Sequence, residues 1–273
     1  VLSRGTGRRP RAGCRPLVGL CVRVHPALTQ RGYHRVTDRS NEEVIALIRI
    51  LSYNLRKNRA TGELLDLAAS TTADVMCLQE VDTGALPNEV ATLTLADSTK
   101  RNRLGLAVYY RKDRFRLHDT DTFELKKSLH DRVLAPAHER LVGTLLEDVQ
   151  TGNQVVVASF HAAPLTALNS LRRTQIKAAH AELLRLGHGA PTLMVGDYNY
   201  PFFTQSLGER VKASGYDMAL SDRKTYTRYK FFKGHFDFVT SAGLDVRTVE
   251  TLPRGDSDHM PIVVSAEYAE APA

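Results

Sequence analysis

Four places in this 273-residue chain bring an apolar run up against polar side chains. Asn54 follows Ile48 to Tyr53, Gln79-Glu80 follows Asp74 to Leu78, Gly196-Asp197-Tyr198-Asn199 follows Thr192 to Val195, and Ser257-Asp258-His259-Met260-Pro261 precedes Ile262 to Ala266. Buried strands ending this way hold their polar groups at the mouth of a sheet, where a carboxylate and an imidazole can face a substrate. Each stretch also has a plain structural reading. Asp197 and Asn199 suit an Asx-turn after Gly196, and Asp258 suits a turn cap. Together they read as four strand ends converging on one metal-assisted site. Asp237 adds to this, because its side chain faces opposite to Phe236 and Phe238 in a strand pattern. An inward carboxylate there needs a partner, and His259 is the candidate.

The elements that must position these residues follow from periodicity. Apolar runs at 48–53, 74–78, 104–110, 115–123, 141–147, 155–160, 192–195, 246–250 and 260–267 read as strands, with 104–110 and 115–123 as neighbours. Thr225 to Thr240 reads as a hairpin turning near Lys233-Gly234. Glu63 to Ala69, Leu165 to Leu186 and Thr204 to Ala213 read as helices, with Gly187 as the C′ residue of the longest. Thr83 to Lys100 is ambiguous and is read as one helix with a loop. Strands alternating with helices indicate an α/β chain. No run approaches the roughly 18 apolar residues of a membrane span.

The formal charge of +7 is uneven along the chain. Residues 1–46 carry nine Arg and three acidic residues, and the remainder carries 28 basic and 27 acidic residues, close to neutral. Residues 1–43 therefore read as a basic, disordered N-terminal tail, with a nucleic-acid-binding arm as the alternative. Residues 44–268 read as one domain and 269–273 as a C-terminal tail. Leu17 to Val24 is interrupted by Arg23 and lacks a following Ala-x-Ala site, unlike a signal peptide. The opening on Val suggests a fragment or a misplaced start. Cys14, Cys21 and Cys77 have no framework spacing, which favours a reducing, cytoplasmic setting, and Cys77 reads as a buried thiol. A monomer is expected.

In order, Ser52-Tyr53-Asn54, Leu78-Gln79-Glu80-Val81-Asp82, Tyr109-Tyr110-Arg111, Ser159-Phe160-His161, Gly196-Asp197-Tyr198-Asn199, Phe236-Asp237-Phe238-Val239 and Ser257-Asp258-His259-Met260-Pro261 resemble the motifs of the endonuclease/exonuclease/phosphatase superfamily. Each is weak alone, but seven in the family's order, at predicted strand ends, are specific. The resemblance implies a DNase I-like four-layer α/β sandwich: two mostly antiparallel sheets face to face, with helices outside. It implies hydrolysis of a phosphate ester with Mg²⁺ or Mn²⁺. Glu80 matches the metal-binding glutamate and Asn54 the asparagine beside the metal. Asp197 and Asn199 match the pair that activates and orients water, Asp258 and His259 the closing pair, and Asp237 the aspartate that orients the histidine. His161 matches a histidine set against the phosphate.

Chemistry supports the same types independently. A phosphodiester repels nucleophiles, so the site must neutralise phosphoryl charge. Hard divalent ions do this through oxygen ligands such as Glu80, Asp258 and Asn54. No Cys/His cluster has zinc spacing. Asp197 is the candidate base, Asn199 a donor to base or phosphate, and a cationic His259 would stabilise the transition state. Where some family nucleases carry an acid shortly after the asparagine, Arg56 and Lys57 stand here. Arg111 is the expected phosphate contact. Lys100, Arg101 and Arg103 with Arg111, Lys112 and Arg114 form one basic cluster. Arg228, Lys230 and Lys233, among Tyr229, Phe231 and Phe232, form another, suited to single-stranded or distorted nucleic acid. The expectation is a nuclease. Phosphatase or lipid phosphodiesterase activity (inositol phosphate or sphingomyelin type) is the alternative, and a silent binding protein the remaining one.

Overall fold

The computed structural model describes residues 47–128, 137–229 and 232–269, and of these the side chains at 227–229 and 232 are left aside. The basic tail, Cys14, Cys21, the Arg228–Phe232 side chains and residues 270–273 fall outside what is described. The strands are β1 (Ile48–Asn54), β2 (Val75–Val81), β3 (Glu89–Val90), β4 (Leu93–Ser98), β5 (Gly105–Arg111), β6 (Phe115–Glu124), β7 (Glu139–Asp148), β8 (Gln154–His161), β9 (Thr192–Asp197), β10 (Asp217–Leu220), β11 (Tyr226–Tyr229), β12 (Phe232–Gly234), β13 (Asp237–Ala242), β14 (Leu244–Thr251) and β15 (Ile262–Tyr268). The helices are α1 (Leu64–Thr71), α2 (Asn169–Leu186) and α3 (Thr204–Ala213).

Two sheets form the body, one in the order β14-β15-β1-β2-β5-β4-β3 and the other β10-β13-β9-β8-β7-β6. All pairings within them are antiparallel except β1 with β2 and β8 with β9. These two parallel pairs lie in the interior of their sheets and are covered on both faces. Their sequences are accordingly near-continuous apolar runs rather than alternating ones. Alternate side chains divide between layers. Ile50, Val75, Cys77 and Val108 meet Val142, Val157, Val195 and Val239 between the sheets. Leu51, Tyr53, Met76 and Leu78 point outward onto Leu64 and Ala68 of α1. Val156, Ala158 and Met194 point outward onto Ile176, Ala179 and Leu183 of α2 and Leu207 and Val211 of α3. Helix, sheet, sheet, helix is the four-layer sandwich expected from the sequence.

Several local expectations change. The segment read as a helix after Thr83 is β3 and β4, because Leu93 and Leu95 alternate with Thr94 at a strand's period of two. The 104–110 and 115–123 strands are not neighbours: β5 belongs to one sheet and β6 to the other, so the chain crosses between sheets at Lys112–Arg114. Helix α2 begins at Asn169, after a turn in which the Ala167 N–H donates to the Pro164 carbonyl at 2.8 Å. Gly187 is right-handed at φ −84°, and the left-handed conformation that ends the helix falls on His188 and Gly189. Tyr229 pairs with Phe232, so the hairpin reverses before Lys233-Gly234. His180 is buried against Thr240 and stacked on Tyr216. Cys77 is buried as expected. No helix among the described residues is long and apolar enough to cross a membrane.

Candidate active site

Parallel pairing aligns the ends that matter. Asn54 pairs with Gln79 at the C-terminal ends of β1 and β2. His161 pairs with Asp197 at the ends of β8 and β9, and Asp237 opens β13 opposite Asp197. Both sheets thus present polar termini at one edge, around a cleft of about 450 Å³ lined by Glu80, His161, Asp197, Asn199, Asp258 and His259.

Glu80 reaches the cleft through an irregularity. The β2–β5 register slips between Gln79 and Val81, leaving Glu80 as an extra residue at φ 55°. A bulge of this kind re-aims a side chain that strict alternation would send elsewhere. Here Val81 resumes the outward apolar face, while Glu80 Oε2 accepts the Lys57 N–H at 2.8 Å. Asn54 is buried, its Nδ2 donating to Asp197 Oδ2 at 3.0 Å and its Oδ1 accepting the Arg56 N–H at 3.0 Å.

Asp197 is a buried carboxylate. Gly196 before it sits at φ 145°, and a Cβ there would lie 2.1 Å from the Phe160 carbonyl oxygen. Only glycine permits this approach of β9 to β8. The Asn199 N–H donates to Asp197 Oδ1 at 2.8 Å, with Asn199 itself left-handed at φ 48°. The Asx-turn expected from the sequence is present, and it holds the carboxylate in place. Burial, opposed by His259 and reinforced by Asp237, pushes the Asp197 carboxyl up to about 7.

The His259 Nδ1 meets Asp237 Oδ2 at 2.8 Å, and its Nε2 lies 3.7 Å from Asp197 Oδ2. Burial opposes charge on this ring. The carboxylates of Asp237 and Asp197 outweigh burial and push the imidazole up to about 10, so it is cationic at neutral pH. Tyr226 and Phe236 pack their rings edge-on to it. His161 behaves oppositely. Its Nε2 is 3.5 Å from Asp197 Oδ2, but burial, Arg140 and His259 hold it well below the usual histidine range, so it is neutral.

Asn54, Glu80, His161, Asp197, Asn199, Asp237, Asp258 and His259 are therefore brought together, as the sequence suggested. Arg111 is not. It sits at the far end of β5, where its guanidinium pairs with Asp74 and Asp113 at 2.9 Å each. Periodicity assigns a residue to a face, not to an end of its strand. The basic cluster around β5 divides for the same reason. Arg103 lines the cleft, whereas Arg114 is buried against Asp74 and Asp148 at the opposite end. The cations that do border the cleft are Arg56, Lys57, Arg59, Arg103 and Arg140.

The supporting residues had no role assigned from sequence. Gln79 Nε2 lies 3.0 Å from Ser159 Oγ and 3.3 Å from Ser52 Oγ, joining the two sheets beneath the site. Ser257 Oγ donates to the Asn54 carbonyl at 2.6 Å, and Thr225 Oγ1 accepts the Asp237 N–H at 3.1 Å. Gln79, Ser52 and Ser159 were signalled by a hydroxyl or amide inside an otherwise apolar run, whereas Ser257 and Thr225 lie in polar stretches that carry no such signal.

Two groups of donors could attract a cation. Ligand atoms of Asp197, Asp237 and His259 lie within 4.8 Å of one another. A protonated, hydrogen-bonded imidazole offers no lone pair, however, so this trio is better suited to moving and holding protons. Glu80, Asp258 and the Asn54 amide oxygen are hard oxygen donors, and two of the three are carboxylates. That donor set fits Mg²⁺ or Mn²⁺.

Comparison with solved structures places the fold among known ones. The catalytic domain of human Nocturnin with bound sulfate matches at 17% identity and a TM-score of 0.65, over 82% of this chain and 95% of that one. The Bacteroides thetaiotaomicron mannosyl-6-phosphatase Bt3783 matches at 18% identity and 0.62, over 81% and 100%. D. rerio TDP2 complexed with a single-strand DNA product matches at 15% identity and 0.64, over 81% and 99%. Comparison with curated protein sequences finds no match. A sequence model of the Endonuclease/Exonuclease/phosphatase family spans residues 51–259, from within β1 to the histidine of the cleft. The chain belongs to that family.

Proposed function

We propose that this protein is a Mg²⁺- or Mn²⁺-dependent phosphodiesterase that cleaves nucleic acid by in-line attack of water. The observation that carries the reading is the pairing of opposite proton states in one cleft. A carboxylate poised near neutrality, Asp197, lies 3.7 Å from an imidazole held cationic, His259. Two titrating groups driven to complementary states supply a base and an acid at the same pH.

Asp197 Oδ2 takes the proton from the attacking water. The amides of Asn54 and Asn199 hold its two oxygens, so the base has one orientation. The His259 Nε2–H donates to a phosphoryl oxygen as negative charge builds there, and Asp237 keeps that ring charged and aimed. Neutral His161 and the Asn199 amide offer further donors without adding charge. A divalent ion held by Glu80, Asp258 and Asn54 would withdraw charge from the phosphoryl oxygens.

The cationic border of Arg56, Lys57, Arg59 and Arg103 favours a substrate with phosphates beyond the scissile one. Among the structural relatives, one holds a single-strand DNA product and another is a sugar phosphatase. A panel of plasmid DNA, abasic-site DNA, RNA, inositol phosphates and sphingomyelin, each with Mg²⁺ and with EDTA, tests the reading. Cation-dependent cleavage confined to the polynucleotides supports it. Turnover of only inositol phosphates or sphingomyelin would replace the nuclease by a phosphatase or lipid phosphodiesterase.

A further inference from the structure

Two residues after Asn54, three consecutive residues that are not glycine hold left-handed backbone: Arg56, Lys57 and Asn58, at φ 46°, 55° and 64°. Each left-handed residue is disfavoured, so a run of three persists only where other contacts over-determine it. Those contacts converge on Glu80. The Lys57 N–H donates to Glu80 Oε2 at 2.8 Å and the Asn58 N–H to the Glu80 carbonyl at 2.9 Å. Asn58 Oδ1 also accepts the Asp82 N–H at 3.0 Å.

The strained turn fixes where Arg56 points. Its Nε lies 3.6 Å from Asp258 Oδ1, with the two side chains only 28% and 8% exposed. A guanidinium thus already rests on one of the two carboxylates suited to a divalent ion. It cannot leave by losing its proton, as a lysine in the same place could. A second divalent ion beside the same carboxylate would meet like-charge repulsion at short range.

We infer that Arg56 is a resident cation of the cleft: it offsets part of the Asp258 charge, so that Glu80, Asn54 and Asp258 together take a single divalent ion and not two. Arg56 then supplies the second positive charge facing the phosphate. This rests on the metal-dependent reading of the site and adds a division of labour to it.

Calorimetric titration of the full chain with Mn²⁺, without substrate, tests the inference. The wild type should take about one ion per chain, and Arg56→Gln should bind it at least about fivefold more tightly, because a repelling charge is gone. Arg56→Asp should add a second ion. In the Arg56→Gln background, Asp258→Asn should cancel the gain, since the effect passes through that carboxylate. Two ions in the wild type, or equal affinity in wild type and Arg56→Gln, would overturn the role of Arg56 and leave the metal reading standing. No uptake by any form would overturn both. If thermal melting shows Arg56→Asp unfolded, the neutral Arg56→Gln decides alone.

Discussion

At the scale of single residues, the cleft separates the proton states of neighbours. Asp197 is enclosed and raised to about 7, while His259, beside two carboxylates, is raised to about 10. On the proposed mechanism, activity needs the first deprotonated and the second protonated. The rate should therefore rise as pH climbs through about 7, hold, and fall as it passes about 10, in a profile of kcat/KM against pH. Asp237 raises both groups, so Asp237→Asn should move both limbs toward lower pH; unmoved limbs would remove Asp237 from the network. His259→Ala should lower kcat by about 10² or more, with a circular dichroism spectrum like the wild type. These residues were legible in the sequence because each interrupts an apolar run with a group that has no reason to be buried unpaired. Arg111 was misjudged because its charge is equally well explained by Asp74 and Asp113, and nothing local to the sequence shows which end of β5 it occupies.

At the scale of elements, the two parallel strand pairs do the positioning, and their tolerance for change is small. Gly196→Ala would drive a methyl into the Phe160 carbonyl at 2.1 Å and strain a left-handed backbone. We expect a loss of about 2–4 kcal/mol in urea denaturation, and a wild-type midpoint would refute the close approach of β8 and β9. Helix α2 docks on the second sheet partly through His180, whose Nε2 lies 2.9 Å from Thr240 Oγ1. Burial lowers this imidazole from 6.5 to about 4. The unfolded chain then binds more protons between those values, so stability is lost as pH falls through that window, by up to about 3 kcal/mol. His180→Phe lacks this titration. The stability of wild type relative to variant should fall by about that amount between pH ~7 and ~4, and a pH-independent difference would contradict the assignment. The long α2 stripe was legible, whereas β3, β4 and the Glu80 bulge were not. Two-residue strands and register slips leave almost no periodic trace, and both depend on partners far away in the chain.

At the scale of the whole molecule, two sheets face to face bring residues from position 54 to 259 into one cleft, with Arg56, Lys57, Arg59, Arg103 and Arg140 along its border. The α/β class was readable from covered strands alternating with helices, and the four-layer sandwich from the family resemblance carried by seven motifs in one order. Which sheet each strand joins was not, because a crossover such as Lys112–Arg114 looks like a hairpin until its partners are known. The most direct measurement is hydrolysis of a chromogenic phosphodiester by wild type and Asp197→Asn, with Mg²⁺ and after EDTA. If the convergent cleft is the catalyst, wild type turns over only with the cation, and Asp197→Asn loses about 10² or more of the rate while keeping the fold. Hydrolysis that survives EDTA, or an Asp197→Asn variant as fast as wild type, would contradict it.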